Sequence, residues 1–233
     1  MVPAAVVLDF DGVVANSEPL HLAAFQQALA DVGISLSARD YYERYLGLDD
    51  ASALEAVAVD RNIVFGPEET RRFFERKAGI LGALLASPHV LFPGAAERVR
   101  EYAAVLPLAI ASGARREEIE PVLTAAHLRS CFTAIVAAGE TPRAKPAPDP
   151  YARAMALLVE AGVVAADVPR ARCVAVEDSR WGISSAKAAG LTCVGVTTSC
   201  PAEALGDADA VVGSLASVTL DFLAQVLSDG GRW

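Results

Sequence analysis

The chain has 233 residues, with 29 Asp and Glu against 20 Lys and Arg, and a formal net charge of −9 at pH 7. Extensive binding to nucleic acid or to an anionic membrane surface needs clustered Lys and Arg, so this charge argues against both classes of partner. Apolar stretches such as residues 80–92 are interrupted by polar residues before they reach the roughly 18 residues that a membrane span needs. The apolar run Val2–Leu8 lacks a basic flank and is not typical of a signal peptide, so we expect a cytoplasmic protein.

Metal-binding and disulfide patterns built on cysteine or histidine are not indicated. The four cysteines show no C-x-x-C spacing, and the three histidines do not cluster in the sequence. These spacings argue against a zinc site, and the cysteines are expected to be free thiols in a reducing compartment.

Short runs rich in Val, Ile, Leu and Ala predict buried strands along the chain. The runs are Ala4–Leu8, Leu106–Ala111, Thr133–Ala137, Arg172–Val176, Thr192–Val196 and Ala210–Val212. Helical segments separate them, among them Tyr151–Glu160, with Asp149 as its predicted N-cap, and a helix that begins at Asp178 or Ser179 and is followed by Gly190. Continuous apolar strands that alternate with helices are typical of a doubly wound α/β fold with a parallel sheet.

The segment after the first strand breaks this alternation. Residues 16–91 show no buried strand, only helical periodicity, in residues 20–32, 38–46, 50–59 and 67–85. A segment of this length is too long for a single crossover connection. We therefore predict an α/β core formed by residues 1–15 and 92–233, with residues 16–91 inserted as a helical cap.

Candidate site residues follow four of the predicted strands, directly or, for Lys145, within the connection after Thr133–Ala137. In a doubly wound sheet ligands bind outside the carboxyl ends of the strands, so these residues are expected to converge. They are Asp9, Asp11, Ser112, Gly113, Lys145, Glu177 and Asp178. Four carboxylates at one sheet edge would repel one another without a counter-charge, and a divalent cation together with Lys145 would supply it. Oxygen ligands without His or Cys favour Mg²⁺.

These residues occur in an order that resembles the haloacid dehalogenase superfamily. The resemblance covers essentially the whole chain and rests on four segments, Asp9-Phe10-Asp11-Gly12-Val13-Val14, Ser112-Gly113, Lys145-Pro146-Ala147-Pro148-Asp149-Pro150-Tyr151 and Glu177-Asp178-Ser179 with Gly182-Ile183. Ser17-Glu18-Pro19-Leu20-His21, followed by a helical insert, is similar to the β-phosphoglucomutase-like subfamily with its small helical cap.

The resemblance implies a Mg²⁺-dependent phosphatase that hydrolyses a small phosphomonoester through an aspartyl-phosphate. Asp9 would be the nucleophile and Asp11 the general acid and base. The metal ligands would be Asp9, the backbone carbonyl of Asp11, and Asp178, with Glu177 as a ligand or close by.

Substrate-binding groups are implied at further positions. Ser112, the Gly113 amide and Lys145 would hold the phosphoryl oxygens. Arg115 could contact an anionic substrate, and His21 matches a position that restrains the general acid in the mutases. The cap residues Tyr41, Tyr42, Tyr45, Leu48 and Lys77 are either substrate contacts or cap core. We expect a monomer.

Other members of the superfamily remain as alternatives. The sugar-phosphate mutases carry an arginine shortly after a cap glycine, where this chain has the acidic stretch Gly47-Leu48-Asp49-Asp50-Ala51-Ser52, which disfavours a mutase. A phosphoglycolate phosphatase is an alternative, although that group typically has Thr at the position of Val13. A dehalogenase is disfavoured because Asp11 is retained. A phospho-accepting receiver domain, a signalling module, is about half this length and has no helical insert.

Overall fold

The computed structural model describes residues 1–45, 50–86 and 90–229. The chain divides into two compact units, one formed by Met1–Ser17 with Ser87–Trp233 and the other by Glu18–Ala86. We refer to them as the core unit and the helical unit. No helix in the described parts of the chain combines the length and the apolar character that crossing a membrane would need.

The core unit contains a six-stranded sheet in the order β3-β2-β1-β4-β5-β6, in which every neighbouring pair is parallel. The strands are β1 Ala5–Leu8, β2 Leu108–Ala111, β3 Ala134–Val136, β4 Cys173–Glu177, β5 Thr192–Val196 and β6 Ala210–Val212. β1, β2, β3 and β4 are buried along their whole length, as expected for a sheet that is covered on both faces. The predicted doubly wound α/β fold is confirmed.

Nine α-helices lie in the described residues. They are α1 Glu18–Ala30, α2 Ala38–Asp40, α3 Asp50–Arg61, α4 Pro67–Leu85, α5 Ala95–Ala103, α6 Arg116–Ala125, α7 Asp149–Glu160, α8 Arg180–Ala188 and α9 Leu220–Asp229. Helices α5 to α9 belong to the core unit, and α1 to α4 form the helical unit.

The ends of the core elements differ slightly from the sequence-based prediction. β2 begins at Leu108, because the N–H of Leu106 still bonds to the Tyr102 carbonyl at the end of α5. Asp149 is the first residue of α7, and Pro148 occupies the N-cap position in its place. Ser179 is the N-cap of α8, and its hydroxyl accepts a hydrogen bond from the Gly182 N–H.

The helical unit has a hydrophobic core of its own. Phe25 of α1 and Phe73 of α4 pack edge to face with ring centroids 5.1 Å apart, and Leu29 and Leu54 are buried in the same cluster. Val32, the last apolar residue of the helix predicted over residues 20–32, is 51% exposed because α1 ends at Ala30.

The segment predicted as one helix over residues 38–46 is different. α2 is a single turn that ends at Asp40, and Tyr41–Tyr45 form one π-helical turn. This turn buries Tyr41 and Tyr45 in the core of the helical unit, whereas Tyr42 is 42% exposed. Leu46 and Leu48 lie outside the described residues.

Candidate active site

The turn after β1 places the first two acidic residues. Asp9 is buried directly after the strand, and its N–H bonds to the Val176 carbonyl of β4 over 3.0 Å. The turn closes through the N–H groups of Val14 and Ala15, which both donate to the Phe10 carbonyl over 2.9 Å. Asp11 lies inside this turn, and its carboxylate accepts a hydrogen bond from the Ser17 hydroxyl.

Position 12 in the same turn requires glycine for two independent reasons. Its φ of +76° lies in the left-handed region that side chains with a Cβ rarely adopt. A Cβ at this position would also lie 1.7 Å from Oδ2 of Asp178. The turn after β1 can therefore approach the acidic end of β4 closely only because residue 12 has no side chain.

The second pair of acids stands at the end of β4. Glu177 is the last residue of the strand and is completely buried, and Asp178 follows it. The carboxylate of Glu177 accepts four hydrogen bonds, from the Lys145 ammonium, the Tyr151 hydroxyl, the Ser179 hydroxyl and the Asp178 N–H. Its oxygens are thus occupied by donors, and the group acts as a buried anchor for Lys145.

The structure brings three of the predicted carboxylates and the predicted ammonium together. One carboxylate oxygen from each of Asp9, Glu177 and Asp178 lies within 4.8 Å of the others. The Lys145 ammonium forms an ion pair with Oδ1 of Asp9 at 2.9 Å and a second, hydrogen-bonded pair with Glu177. Its side chain is only 13% exposed and also lies over the Tyr151 ring, 5.2 Å from the centroid.

The buried carboxylates of this cluster outnumber its positive charge. Burial, followed by the charges of Asp9 and Glu177, raises the pKa of Asp178 to about 8. Burial and the Asp9 charge raise the pKa of Glu177 as well, because one ammonium does not balance three buried carboxylates. Burial by itself would lower the pKa of Lys145, but Asp9 and Glu177 outweigh it and raise that pKa, so the lysine is cationic.

These features fit a divalent metal ion. Oδ1 of Asp9 is a buried oxygen that accepts no hydrogen bond within the described residues, despite its ion pair with Lys145. The cluster supplies oxygen donors alone, which match Mg²⁺ and other hard cations. A cation held by Asp9 and Asp178 would add to the charge of Lys145 at Oδ1 of Asp9, and it would offset the burial and the like charges that raise the pKa of Asp178.

The remaining predicted site residues of the core unit follow β2. Parallel pairing of Leu8 with Ile110 places Ser112 beside the end of β1 at the same sheet edge. Ser112 is buried and its hydroxyl accepts the Ala114 N–H over 3.0 Å, whereas Gly113 and Arg115 are exposed.

His21 lies in the helical unit, on α1. Its Nδ1 is 3.4 Å from the Lys77 ammonium, which also pairs with Asp50 and is almost completely buried. Lys77 is thus a buried cation of the helical unit, held by α3 and α1.

Sequence reasoning assigned no role to three side chains that contact the acidic cluster or the turn after β1. Tyr151 donates to Glu177 from α7, Thr198 donates to the Gly12 carbonyl, and Ser199 bonds to the Asp178 carboxylate. Thr198 and Ser199 follow β5 at the same sheet edge, so the strand-end rule that selected the other residues applies to them too. Tyr151 ends one of the four segments that carry the resemblance, but no role was predicted for it, because a tyrosine in a helix is most often simply buried.

The chain is similar in sequence to several known proteins. The family model for haloacid dehalogenase-like hydrolases matches residues 3–190. The chain is 30% identical to a beta-phosphoglucomutase of Bacillus subtilis over 231 residues, covering 95% of this chain and 94% of that protein. It is 31% identical to hexitol phosphatase B of Escherichia coli over 188 residues, 79% of each chain.

A longer protein and a solved structure are also similar. The protein SUPPRESSOR OF QUENCHING 1 of Arabidopsis thaliana is 34% identical over 88% of this chain, which spans only 19% of that protein's length. The crystal structure of CbbY from Rhodobacter sphaeroides in complex with phosphate superposes with a TM-score of 0.77 and 28% identity, over 96% of this chain and all of that one. The family match over most of the chain and the shared fold show that this protein belongs to the haloacid dehalogenase-like hydrolases.

Proposed function

We propose that the protein is a Mg²⁺-dependent phosphatase that hydrolyses a small phosphomonoester through an aspartyl-phosphate on Asp9. The observation that carries this proposal is the buried group of Asp9, Asp178, Glu177 and Lys145, with Asp11 two residues from Asp9. A nucleophilic carboxylate with a second acid nearby suits phosphoryl transfer to an alcohol-type leaving group. A bound Mg²⁺ would reduce the repulsion between the Asp9 carboxylate and the phosphate dianion.

In the first half of the reaction a carboxylate oxygen of Asp9 attacks phosphorus. The bond between phosphorus and the ester oxygen breaks, and Asp11 donates its proton to the leaving oxygen, which departs as the alcohol. The Ser17 hydroxyl donates a hydrogen bond to Asp11 and favours one orientation of this carboxyl group. Lys145, anchored by Glu177, lies beside Asp9, where its ammonium can neutralise charge on the phosphoryl oxygens.

In the second half water attacks phosphorus and Asp11 accepts its proton. The bond between Asp9 and phosphorus then breaks, which releases phosphate and restores the free carboxylate. Ser112, at the adjacent strand end, would hold a phosphoryl oxygen through its hydroxyl, and the Gly113 amide would add a second donor. Arg115 is exposed at the start of α6 and would contact an anionic part of the substrate outside the phosphate.

The role of Asp9 is tested by comparing Asp9→Asn with Asp31→Asn, an exposed carboxylate of the helical unit paired with Arg76. Hydrolysis of an aryl phosphate with Mg²⁺ should vanish in Asp9→Asn and be unchanged in Asp31→Asn, while both variants keep their circular dichroism spectrum. Wild-type turnover in a folded Asp9→Asn variant would refute the role of Asp9 as the nucleophile.

The role of Asp11 is tested with an Asp11→Asn variant and a good leaving group. An aryl phosphate needs little protonation to depart, so the first half-reaction should continue while hydrolysis of the aspartyl-phosphate slows. Intact-mass measurement after rapid denaturation should then show one added phosphoryl group. A steady rate without accumulation of the phosphorylated protein would contradict this role.

For the substrate we propose a sugar or polyol phosphate, a class supported by the name of the hexitol phosphatase relative. A panel of sugar, polyol and nucleoside monophosphates with phosphoglycolate, each with and without Mg²⁺, tests this class. A clear preference for phosphoglycolate or a nucleotide would reject it.

The name of the Bacillus relative, a beta-phosphoglucomutase, favours the mutase alternative. An acidic residue in the helical unit disfavours it. Asp50 belongs to the acidic stretch that occupies the mutase arginine's position, and its carboxylate pairs with Lys77. Gly47, Leu48 and Asp49 of that stretch lie outside the described residues. Adding a hexose 1-phosphate with its bisphosphate to the same panel tests the alternative, because isomerisation faster than phosphate release would establish a mutase.

A further inference from the structure

The loop after β5 contributes two hydroxyl groups that contact both acidic segments of the site. The Thr198 hydroxyl donates a hydrogen bond to the Gly12 carbonyl, which belongs to the turn that carries Asp9 and Asp11. The hydroxyl of the next residue, Ser199, bonds to the carboxylate of Asp178 at the end of β4. Two consecutive side chains of one loop thus join segments that follow β1 and β4.

The contacts converge on a small volume. The direction in which a Gly12 side chain would project leads to Oδ2 of Asp178 at 1.7 Å and to the Ser199 hydroxyl at 2.7 Å. The Gly12 N–H donates to the Ala15 carbonyl over 2.9 Å, and Thr198 engages the carbonyl of the same residue. Both peptide groups of Gly12 are therefore held, one within the turn and one by the β5 loop.

The loop itself is anchored to the sheet. The N–H of Thr197 donates to the Val212 carbonyl of β6 over 3.0 Å. Thr197 follows Val196, the last residue of β5. Thr198 and Ser199 are thus carried on a segment that is tied to two neighbouring strands rather than on a free surface loop.

We propose that Thr198 and Ser199 are positioning residues that hold the Asp9–Gly12 turn and the Asp178 carboxylate in one mutual arrangement. This inference rests on the proposed phosphatase function, because a cation shared by Asp9 and Asp178 binds well only when the spacing between the two carboxylates is maintained. Groups that orient metal-binding carboxylates in this way are as much a part of a site as the ligands themselves. Neither residue needs to touch the substrate.

The test compares three threonine variants. Thr198→Val removes the hydroxyl with little change in volume, and Thr198→Ser keeps the hydroxyl. Thr192→Val is the matched control, because Thr192 lies at the other end of β5 and its hydroxyl also donates to a backbone carbonyl, that of Ala171 over 2.8 Å. All three proteins are used as the full chain.

Thr198→Val should weaken Mg²⁺ binding measured by calorimetry, and lower kcat, by about tenfold, the lower end of the range for such outer contacts, with little change in KM. Thr198→Ser should recover most of both quantities, and Thr192→Val should leave both at the wild-type value. Ser199→Ala should weaken Mg²⁺ binding in the same direction. Equal Mg²⁺ affinity and kcat in Thr198→Val and Thr192→Val would overturn the proposal.

Hydrogen exchange supplies a measurement that does not depend on metal or turnover. In metal-free protein the amides of residues 10–15 should exchange roughly fivefold faster in Thr198→Val than in wild type, since one restraint on the turn is lost. Thr192→Val should leave this segment unchanged, and unchanged exchange in Thr198→Val would refute the positioning role. A wild-type protein without Mg²⁺ binding or phosphatase activity would instead reject the proposed function, and the exchange experiment would still decide the role of Thr198 in the turn.

Discussion

Replacing Gly182 by alanine should destabilise the protein, although the same change usually stabilises a helix. Gly182 is the third residue of α8, and its φ is not in the left-handed region. In open space alanine would add about 0.5–1 kcal/mol of stability through its better helix propensity. Here its Cβ would lie 1.9 Å from three carboxyl atoms of Glu177, which is completely buried.

An alanine side chain at position 182 would force Glu177 to move. The loss in the free energy of unfolding can be estimated from the interactions that Glu177 makes. Overpacking of a buried position costs about 1–3 kcal/mol. Loss of a hydrogen bond to a charged group such as Lys145 costs about 1.5–3 kcal/mol, and loss of the Tyr151 bond costs about 1 kcal/mol. Even with partial relaxation of Glu177, we expect a net loss of about 2–4 kcal/mol in the free energy of unfolding.

Urea denaturation followed by circular dichroism measures this loss, and Gly79→Ala is the control. Gly79 lies in α4, is exposed, and has no atom within 4 Å of the position of an added Cβ. The control should be as stable as wild type or more stable by up to about 1 kcal/mol. A Gly182→Ala protein as stable as wild type, with full phosphatase activity, would refute the argument that Glu177 needs the space beside α8.

Three further results are expected. Gly12 and Gly33 both have a φ of +76°, but an added Cβ would lie 1.7 Å from a carboxylate oxygen only at Gly12. Gly12→Ala should therefore lose more free energy of unfolding in urea than Gly33→Ala. Equal losses would show that only the backbone conformation matters. Lys145→Met should lower the free energy of unfolding by about 3–5 kcal/mol, since it leaves buried carboxylates without their cation. Lys187 is the control, because its side chain is 39% exposed in its ion pair with Asp209. Lys187→Met should lower the free energy of unfolding by less than about 1 kcal/mol. Similar losses in the two variants would contradict the conclusion that Lys145 stabilises buried carboxylates. Mg²⁺ at about a hundred times its Kd should stabilise the wild type by about 2.7 kcal/mol in a thermal or urea titration, and a chelator should reverse this. Asp178→Asn should lose most of that gain, and an undiminished gain would place the cation elsewhere.

The net charge of −9 and an anionic substrate are compatible because charge acts locally at a buried site. Lys145 lies among buried carboxylates, where water screens it poorly, and a cation bound there would add a second positive centre. Many of the exposed cations pair with carboxylates, as Arg71 does with Glu68 and Glu75. The field that a phosphate meets near Asp9 therefore differs from the field of the surface as a whole.

The sequence by itself determined the fold class and the edge of the sheet at which the acidic residues meet. Continuous apolar runs that alternate with helices suffice for that, because they predict parallel strands. The carboxyl ends of parallel strands share one edge, which places Asp9, Ser112 and Glu177 side by side. Local chemistry also narrowed the start of α8 to Asp178 or Ser179, and the structure shows that Ser179 is the N-cap, since its hydroxyl accepts the Gly182 N–H three residues later.

Only the tertiary structure decided which side chains complete the site. The hydrogen bond from Thr198 to Gly12 joins residues 186 positions apart, and the one from Tyr151 to Glu177 joins residues 26 positions apart. The spacing of residues along the chain cannot predict such pairs, because they depend on how strands and helices pack. The same reason explains the π-helical turn at Tyr41–Tyr45, where burial of two tyrosines in the helical unit outweighs the regular helix that local periodicity favours.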